Sequence, residues 1–301
     1  MKLLSNKVFT SVAALFCCAL WGISTPIVKM GYAYLDPTHT PSLFLWVGAL
    51  FVVAGMLALA IYSLVSKRLA LPKKESIKTI ATVSLLQTVM QYAMVYIGLL
   101  YTSSVKGAIL KSTDVFFVAL ISSLIFRLEK LTVKKLLSCI IGFAGIIVMN
   151  LDGLSLNFNL MGDGMVVLGI VCYSFAVVII KVFGTKEDPI ILSGWQMSLG
   201  GAVLLAIGLA MGGQVDFVGM LPVFGILVGI YAVSYTLWTT LLRHNSPSGI
   251  IIFSFTTPVF GVLFSELLLS EDGGVDPLSL GIALVLVCLG ILIWGYEKKD
   301  A

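Results

Sequence analysis

"KGAILKSTDVFFVALISSLIFRLEK", residues 106–130, is long and apolar enough to cross a bilayer, yet it carries Lys111 and Asp114 in its interior. A spanning helix needs about 20 apolar residues. If the span starts near Ser104, a rise of about 1.5 Å per residue puts Lys111 roughly 10 Å deep and Asp114 roughly 15 Å deep, close to the midplane. Each charge near the centre of a helix costs about 2.5–3.5 kcal/mol on insertion scales. A helix facing lipid would not carry both. The i, i+3 spacing puts them on one face, with Ser104, Gly107, Val118 and Ser122. Ile109, Phe116 and Leu120 lie on the other side, which suits lipid or packing. The charged face is therefore expected to turn inward, towards neighbouring helices or a wet cavity.

The rest of the chain reads the same way. It has 301 residues, of which 59% are hydrophobic and 11% charged, with a mean hydropathy of +1.06. Soluble domains carry about 25% charged residues, so there is too little polar surface here for two soluble domains. The expected class is an all-α integral membrane protein. Ten segments qualify as spans: 8–30, 42–65, 77–99, 104–126, 133–150, 162–183, 190–211, 219–242, 247–269 and 277–296. The apolar run that follows the basic N-terminus continues to about Pro26 without a small-residue cleavage site, so it is read as a retained first helix. With the N-terminus inside, 15 of the 19 Lys and Arg residues fall on inner tails and loops. The outer loops hold Lys106 and a set of acids: Asp36, Asp152, Asp216, Glu271, Asp272 and Asp276. This asymmetry predicts both termini on the cytoplasmic side.

The opening stretch has a second copy. "SGIIIFSFTTPVFGVLFSELLLSED" (248–272) aligns with residues 106–130 at a constant offset of 142, with Gly107 on Gly249, Ser112 on Ser254 and Glu129 on Glu271. The first and sixth spans echo at an offset of 152, with Trp21 on Tyr173 and Lys29 on Lys181. Two five-helix halves follow, 1–150 and 151–301. Five crossings are odd in number, so the second half enters from the opposite side. Inverted repeats of this kind place a binding site near the midplane and rock around it.

Three segments resemble a known family: "ALWGISTPIVKMG" in the first span, "LLQTVMQYAMVYIGLLYTSSVKGAIL" across the third and fourth, and "TTPVFGVLFSELLLSED" in the ninth. They resemble the drug/metabolite transporter superfamily, in its EamA-type ten-helix branch, over nearly the whole chain. The resemblance implies two inverted repeats, a central cavity, and transport, often export, of amino acids or other small metabolites. It makes Lys29 a family feature. The fourth span departs from the pattern. Phe116 stands where the family usually has a proline, and Lys111 and Asp114 stand where it has apolar or small residues.

Two roles fit Lys111 and Asp114: an ion pair that locks the span to its neighbours, or a substrate and coupling site. In the second role Lys111 would meet a carboxylate. Asp114 would meet an ammonium, carry a proton or hold Lys111, and the pair suits a zwitterion. Further substrate-binding candidates are Trp21, Gln87, Gln91, Tyr92, Tyr231, Tyr235, Trp238 and Thr257; polar and aromatic residues at helical spacing also serve ordinary helix packing. Glu266 is a second coupling candidate. Pro258, following two threonines, suits a kink. Lys29 and Lys181 near span ends read as snorkelling side chains. The five cysteines read as small buried hydrophobes. His39 and His244 join no triad or metal cluster, and no HExxH, P-loop or GxSxG motif occurs. The expectation is no enzyme, no cofactor and no metal. The partners expected are the lipid bilayer and a small-molecule substrate, without nucleic acid; monomer and homodimer both remain open. The expected function is a gradient-driven secondary transporter in the cytoplasmic membrane, with an amphiphile or lipid-precursor flippase as the alternative.

Overall fold

The computed structural model describes residues 6–36, 39–102, 104–151, 157–269 and 276–295. Asp152, Glu271 and Asp272, invoked above for orientation, lie outside these residues. The described chain is helical, without strands. Nine of its helices are long and apolar enough to cross a membrane. The helix at the fifth predicted position, Val133–Met149, has 17 residues.

The first two predicted spans are single helices. α1 (Lys7–Gly31) starts on Asn6, whose side chain accepts from the Val8 and Phe9 amides. α2 (Thr40–Ser66) follows. The third span is not one α-helix. It is α3 (Ile77–Val83), a π-helical segment Ser84–Met90, and α4 (Gln91–Leu99). The fourth also departs from expectation: α5 (Ser104–Lys111) stops, and α6 (Asp114–Leu120) begins two residues later. The stop has a local cause. Ser112 Oγ donates to the Ala108 carbonyl at 3.1 Å, and Thr113 Oγ1 to that of Leu110. Hydroxyls bonded to the preceding turn compete with the helical ladder. A π-helical segment, Ile121–Ile125, ends this span, and α7 (Val133–Met149) is the fifth.

In the second half, α8 (Met165–Phe183), α9 (Pro189–Ala210) and α10 (Phe217–His244) form spans six to eight. The ninth is broken like the fourth: α11 (Pro247–Ile251), a 3-10 segment Ile252–Phe255, and α12 (Thr256–Leu269). α13 (Pro277–Gly295) is last.

Packing partners come in matched pairs. α2 lies on α9 and α7 on α13, each the repeat counterpart of the other. The contacts of α1 with α10 and α12 mirror those of α8 with α4 and α6. The two halves are thus interleaved in one body. Small residues permit the closest approach. A Cβ on Gly48 would sit 2.3 Å from the Leu205 amide nitrogen, and one on Gly201 2.7 Å from that of Val52. Close backbone approach is how helices gain dispersion contact where lipid removes the hydrophobic drive.

The connecting segments gather at two ends. At one end Glu187 accepts from the Lys73 amide at 2.7 Å, Arg243 donates to the Thr185 carbonyl at 3.1 Å, and Glu129 Oε1 accepts from the Ser248 amide at 3.3 Å. At the other, Asp163 receives Thr102 and Lys106, Asn159 Nδ2 donates to the Tyr101 carbonyl at 3.1 Å, and the Asp216 amide bonds the Tyr34 carbonyl at 3.0 Å. Lys181, read above as snorkelling, donates to the Arg243 carbonyl at 2.9 Å and so caps the end of α10.

Two apolar cores form. One joins the starts of α1 and the third span to spans four, five, six, nine and ten and the end of α10. The other joins the ends of α1 and the third span to α2, α9 and the first two-thirds of α10. They part at Trp21 in the first span, between Leu86 and Val89 in the third, and between Tyr235 and Leu237 in the eighth.

Candidate functional site

The aromatic candidates lie along this seam. Trp21 packs edge-on against Trp238, with ring centroids 4.9 Å apart, and against Tyr235 at 5.9 Å. Tyr92 and Tyr235 share a hydroxyl–hydroxyl hydrogen bond of 2.9 Å that joins the third and eighth spans. Phe51 of α2, which the sequence reading did not single out, touches Tyr92, Tyr231 and Tyr235, with centroids 4.8–5.6 Å apart. Such edge-to-face contacts fix ring orientation. They leave Trp21, Tyr92 and Tyr231 partly exposed.

Several buried polar atoms along the seam have no protein partner. Gln87 is 3% exposed, and its Oε1 is unbonded, as is that of Gln91. Gln87 lies in the π-helical segment and is buried with Ser84 and Thr88, and Gln91 begins α4 half-buried. Trp238 is 1% exposed; its Nε1 faces the Tyr173 hydroxyl but falls outside hydrogen-bond geometry. Thr257 Oγ1 lies beside the Cys18 thiol, which itself donates to the Phe253 carbonyl at 3.2 Å. An unmet buried donor or acceptor costs about 1–3 kcal/mol. Unmet atoms of this kind along the seam would stabilise a polar ligand.

Asp114 and Lys111 flank the break in the fourth span. Lys111 ends α5, where carbonyls lack partners, and Asp114 begins α6, where amides lack them; each charge therefore matches the partial charge of its helix end. The Asp114 carboxylate accepts from Ser254 Oγ at 3.1 Å, across to the break in the ninth span, and from its neighbour's amide, Val115. No ion pair joins it to Lys111; the described pairs are Lys106–Asp163, Lys135–Glu129 and Lys186–Glu75. The ammonium of Lys111 is exposed although protein surrounds it densely. Val115, Val118 and Ser122, on the same face at helical spacing, are each 0% exposed, whereas Leu120 on the opposite face is 40% exposed. Lys111 is therefore the exposed position on a face that otherwise packs inward.

The family profile of EamA-like transporters matches twice, over residues 8–151 and again over 160–296. This chain belongs to the EamA-like transporter family. It is 24% identical over 310 residues to the uncharacterized transporter YvbV of Bacillus subtilis, covering 97% of this chain and 93% of that one. An uncharacterized transporter of Archaeoglobus fulgidus is 24% identical over 281 residues, covering 91% and 94%. A solved crystal structure superposes with a TM-score of 0.75 over 95% of this chain and 98% of its own at 15% identity, a likeness of fold alone. The chain is accordingly a multi-pass membrane protein of a transporter family.

Not every candidate in this EamA-like chain reaches the seam. Glu266 is exposed on α12, nine residues and about 13 Å of helix rise beyond Thr257. Tyr173 is the main residue missed. It lies within electrostatic range of Asp114, Cys18 and Tyr92, and so bridges the charged and aromatic parts. Its pairing with Trp21 in the repeat was the available signal. Asp163 and Glu129 were also missed. Burial pushes the Glu129 carboxyl up, but hydrogen bonds from Lys135, Ser248 and Ser122 and the Lys135 charge outweigh it and hold it below the usual carboxylate range. Among the described residues no group of three or more His, Cys, Asp and Glu converges as a metal site.

Proposed function

We propose that this chain is a secondary transporter of a small polar metabolite, with Lys111 and Asp114 at the substrate site. The carrying observation is an exposed lysine with no ion-pair partner inside a membrane span. Intramembrane charge of this kind marks a solute or ion path. The proposed architecture is ten crossings in two inverted five-helix repeats, 1–150 and 151–301, with both termini cytoplasmic and the protein in the cell membrane. The double family match, the exchange of packing partners and the gathering of connectors at two ends support it. Trp21, Gln87, Gln91, Tyr92, Tyr231, Tyr235, Trp238 and Thr257 line the route, and transport follows alternating access between the interleaved halves, in the direction of export.

The test is the thermal midpoint of the purified protein against amino acids, organic acids and polyamines, with the Lys111→Met variant alongside. A ligand that binds the native state raises the midpoint by mass action. A rise with one chemical class, lost in a variant that still folds, places Lys111 in the site. A midpoint that no soluble compound moves, with a Lys111→Met variant that melts earlier, overturns this reading and turns the search to lipid-like cargo.

A further inference from the structure

The two charges at the break are not equivalent, and the difference bears on what the site carries. This argument rests on the substrate site proposed above. Asp114 is already bonded by Ser254 Oγ and the Val115 amide. Lys111 makes no hydrogen bond and is exposed. Trp238 Nε1, beside the Tyr173 hydroxyl, is also a donor. The group free to receive a ligand charge is therefore positive, and its polar surroundings include a donor.

Charge balance then constrains the loaded state. The empty site holds one cation and one anion. The groups facing Asp114 are Lys111 from α5, Cys18 from α1, Cys139 from α7, Tyr173 from α8 and Ser254 from the ninth span. Thiols and phenols are ordinarily neutral near pH 7, so no further cation stands against Asp114. An anion docked on Lys111 would leave the site one negative charge in excess within the membrane. A nearby negative charge raises a carboxylate's affinity for protons. One proton from water on Asp114 restores neutrality and leaves again when the anion does.

We infer that the cargo is an organic anion, held by Lys111 and carried together with one proton on Asp114. A zwitterion would need no such proton, so the two classes are separable.

The experiment is calorimetric titration of the purified full chain in two cationic buffers of different ionisation enthalpy, which counts protons taken up per ligand bound. The probes are methanesulfonate, acetate, lactate and benzoate as anions, glycine and glycine betaine as zwitterions, and choline as a cation. Methanesulfonate stays deprotonated, so a proton taken up with it must lie on the protein. The expected result is binding of one or more anions with one proton taken up each, and no binding of zwitterions or choline. Asp114→Asn should bind the anion without proton uptake and lose the pH dependence, whereas Lys111→Met should bind it on the order of 10–100-fold more weakly. If Asp114→Asn does not fold, the wild-type stoichiometry decides alone. Binding of a zwitterion in preference to every anion overturns the anion class and leaves the Lys111 site standing. Anion binding without proton uptake, or uptake that survives Asp114→Asn, overturns the coupling. Binding of no probe at all overturns the site reading with it.

Discussion

The fourth and ninth spans are two copies of one element, and both break at the same level. The interruption at Ser112–Thr113 corresponds, at the offset of 142, to Ser254 and Phe255 within the 3-10 segment Ile252–Phe255. What occupies the break differs. Lys111 and Asp114 in one copy stand where Phe253 and Thr256 stand in the other. Phe253 is 6% exposed and packed in the apolar core, whereas Lys111 is exposed. The backbone interruption thus belongs to the repeat, while the charge belongs to one half. The Ser254–Asp114 hydrogen bond joins the two breaks at 3.1 Å and makes the second copy a support for the first.

The comparison breaks most readily at Phe253. Moving the cation to the second copy, Phe253→Lys, should lower stability by about 3 kcal/mol or more, since a charge there would be buried. Its thermal midpoint should fall well below that of wild type; an unchanged midpoint would mean that the ninth span is open there as the fourth is. Lys111→Met should do the opposite. It should weaken ligand binding on the order of 10–100-fold, the worth of a charge-assisted hydrogen bond of about 1.5–3 kcal/mol, while the unliganded midpoint holds. Ligand titrations followed by thermal shift measure both quantities.

A smaller effect tests the link between the breaks. A double-mutant cycle of Asp114→Asn and Ser254→Ala, followed by denaturation in detergent, should give a coupling of about 1 kcal/mol. Additive effects would mean that the copies do not support each other. The smallest effect lies at the end of the fourth span, where Glu129 reaches the start of the ninth through the Ser248 amide. Its carboxyl is held below the ordinary value of 4.5. A group depressed in the folded state stabilises above its unfolded value and loses that contribution as pH falls through its folded value. Glu129→Gln should therefore flatten the stability profile below about pH 4.5, and leave it unchanged in shape above neutral pH. A wild-type profile with no acid limb, or one that Glu129→Gln leaves intact, would assign that end of the contact no electrostatic weight.

Much of the site was legible because its signals are local. The inward turn of Lys111 and Asp114 follows from spacing and from the cost of charge in lipid. The stripe of Tyr231, Tyr235 and Trp238 follows from helical periodicity. Phe51 was not legible: one phenylalanine in a span as apolar as α2 looks like its neighbours until Tyr92 and Tyr235 close on it. Nor was Asp163, whose partners Thr102 and Lys106 lie 61 and 57 positions earlier in the chain.

By itself the sequence determined that the chain is helical and lipid-embedded, and that it repeats. Hydropathy and offset are sums over neighbouring residues and need no fold. Only the tertiary structure decided that Asp114 bonds Ser254 rather than Lys111, and that Lys111 is left exposed without an ion-pair partner. Each of these depends on which helix stands opposite. Ladder bonds compete with side-chain bonds of similar strength, and an ion pair competes with partners supplied from elsewhere in the chain. The i, i+3 spacing permits the pair, and the arrival of the ninth span selects against it.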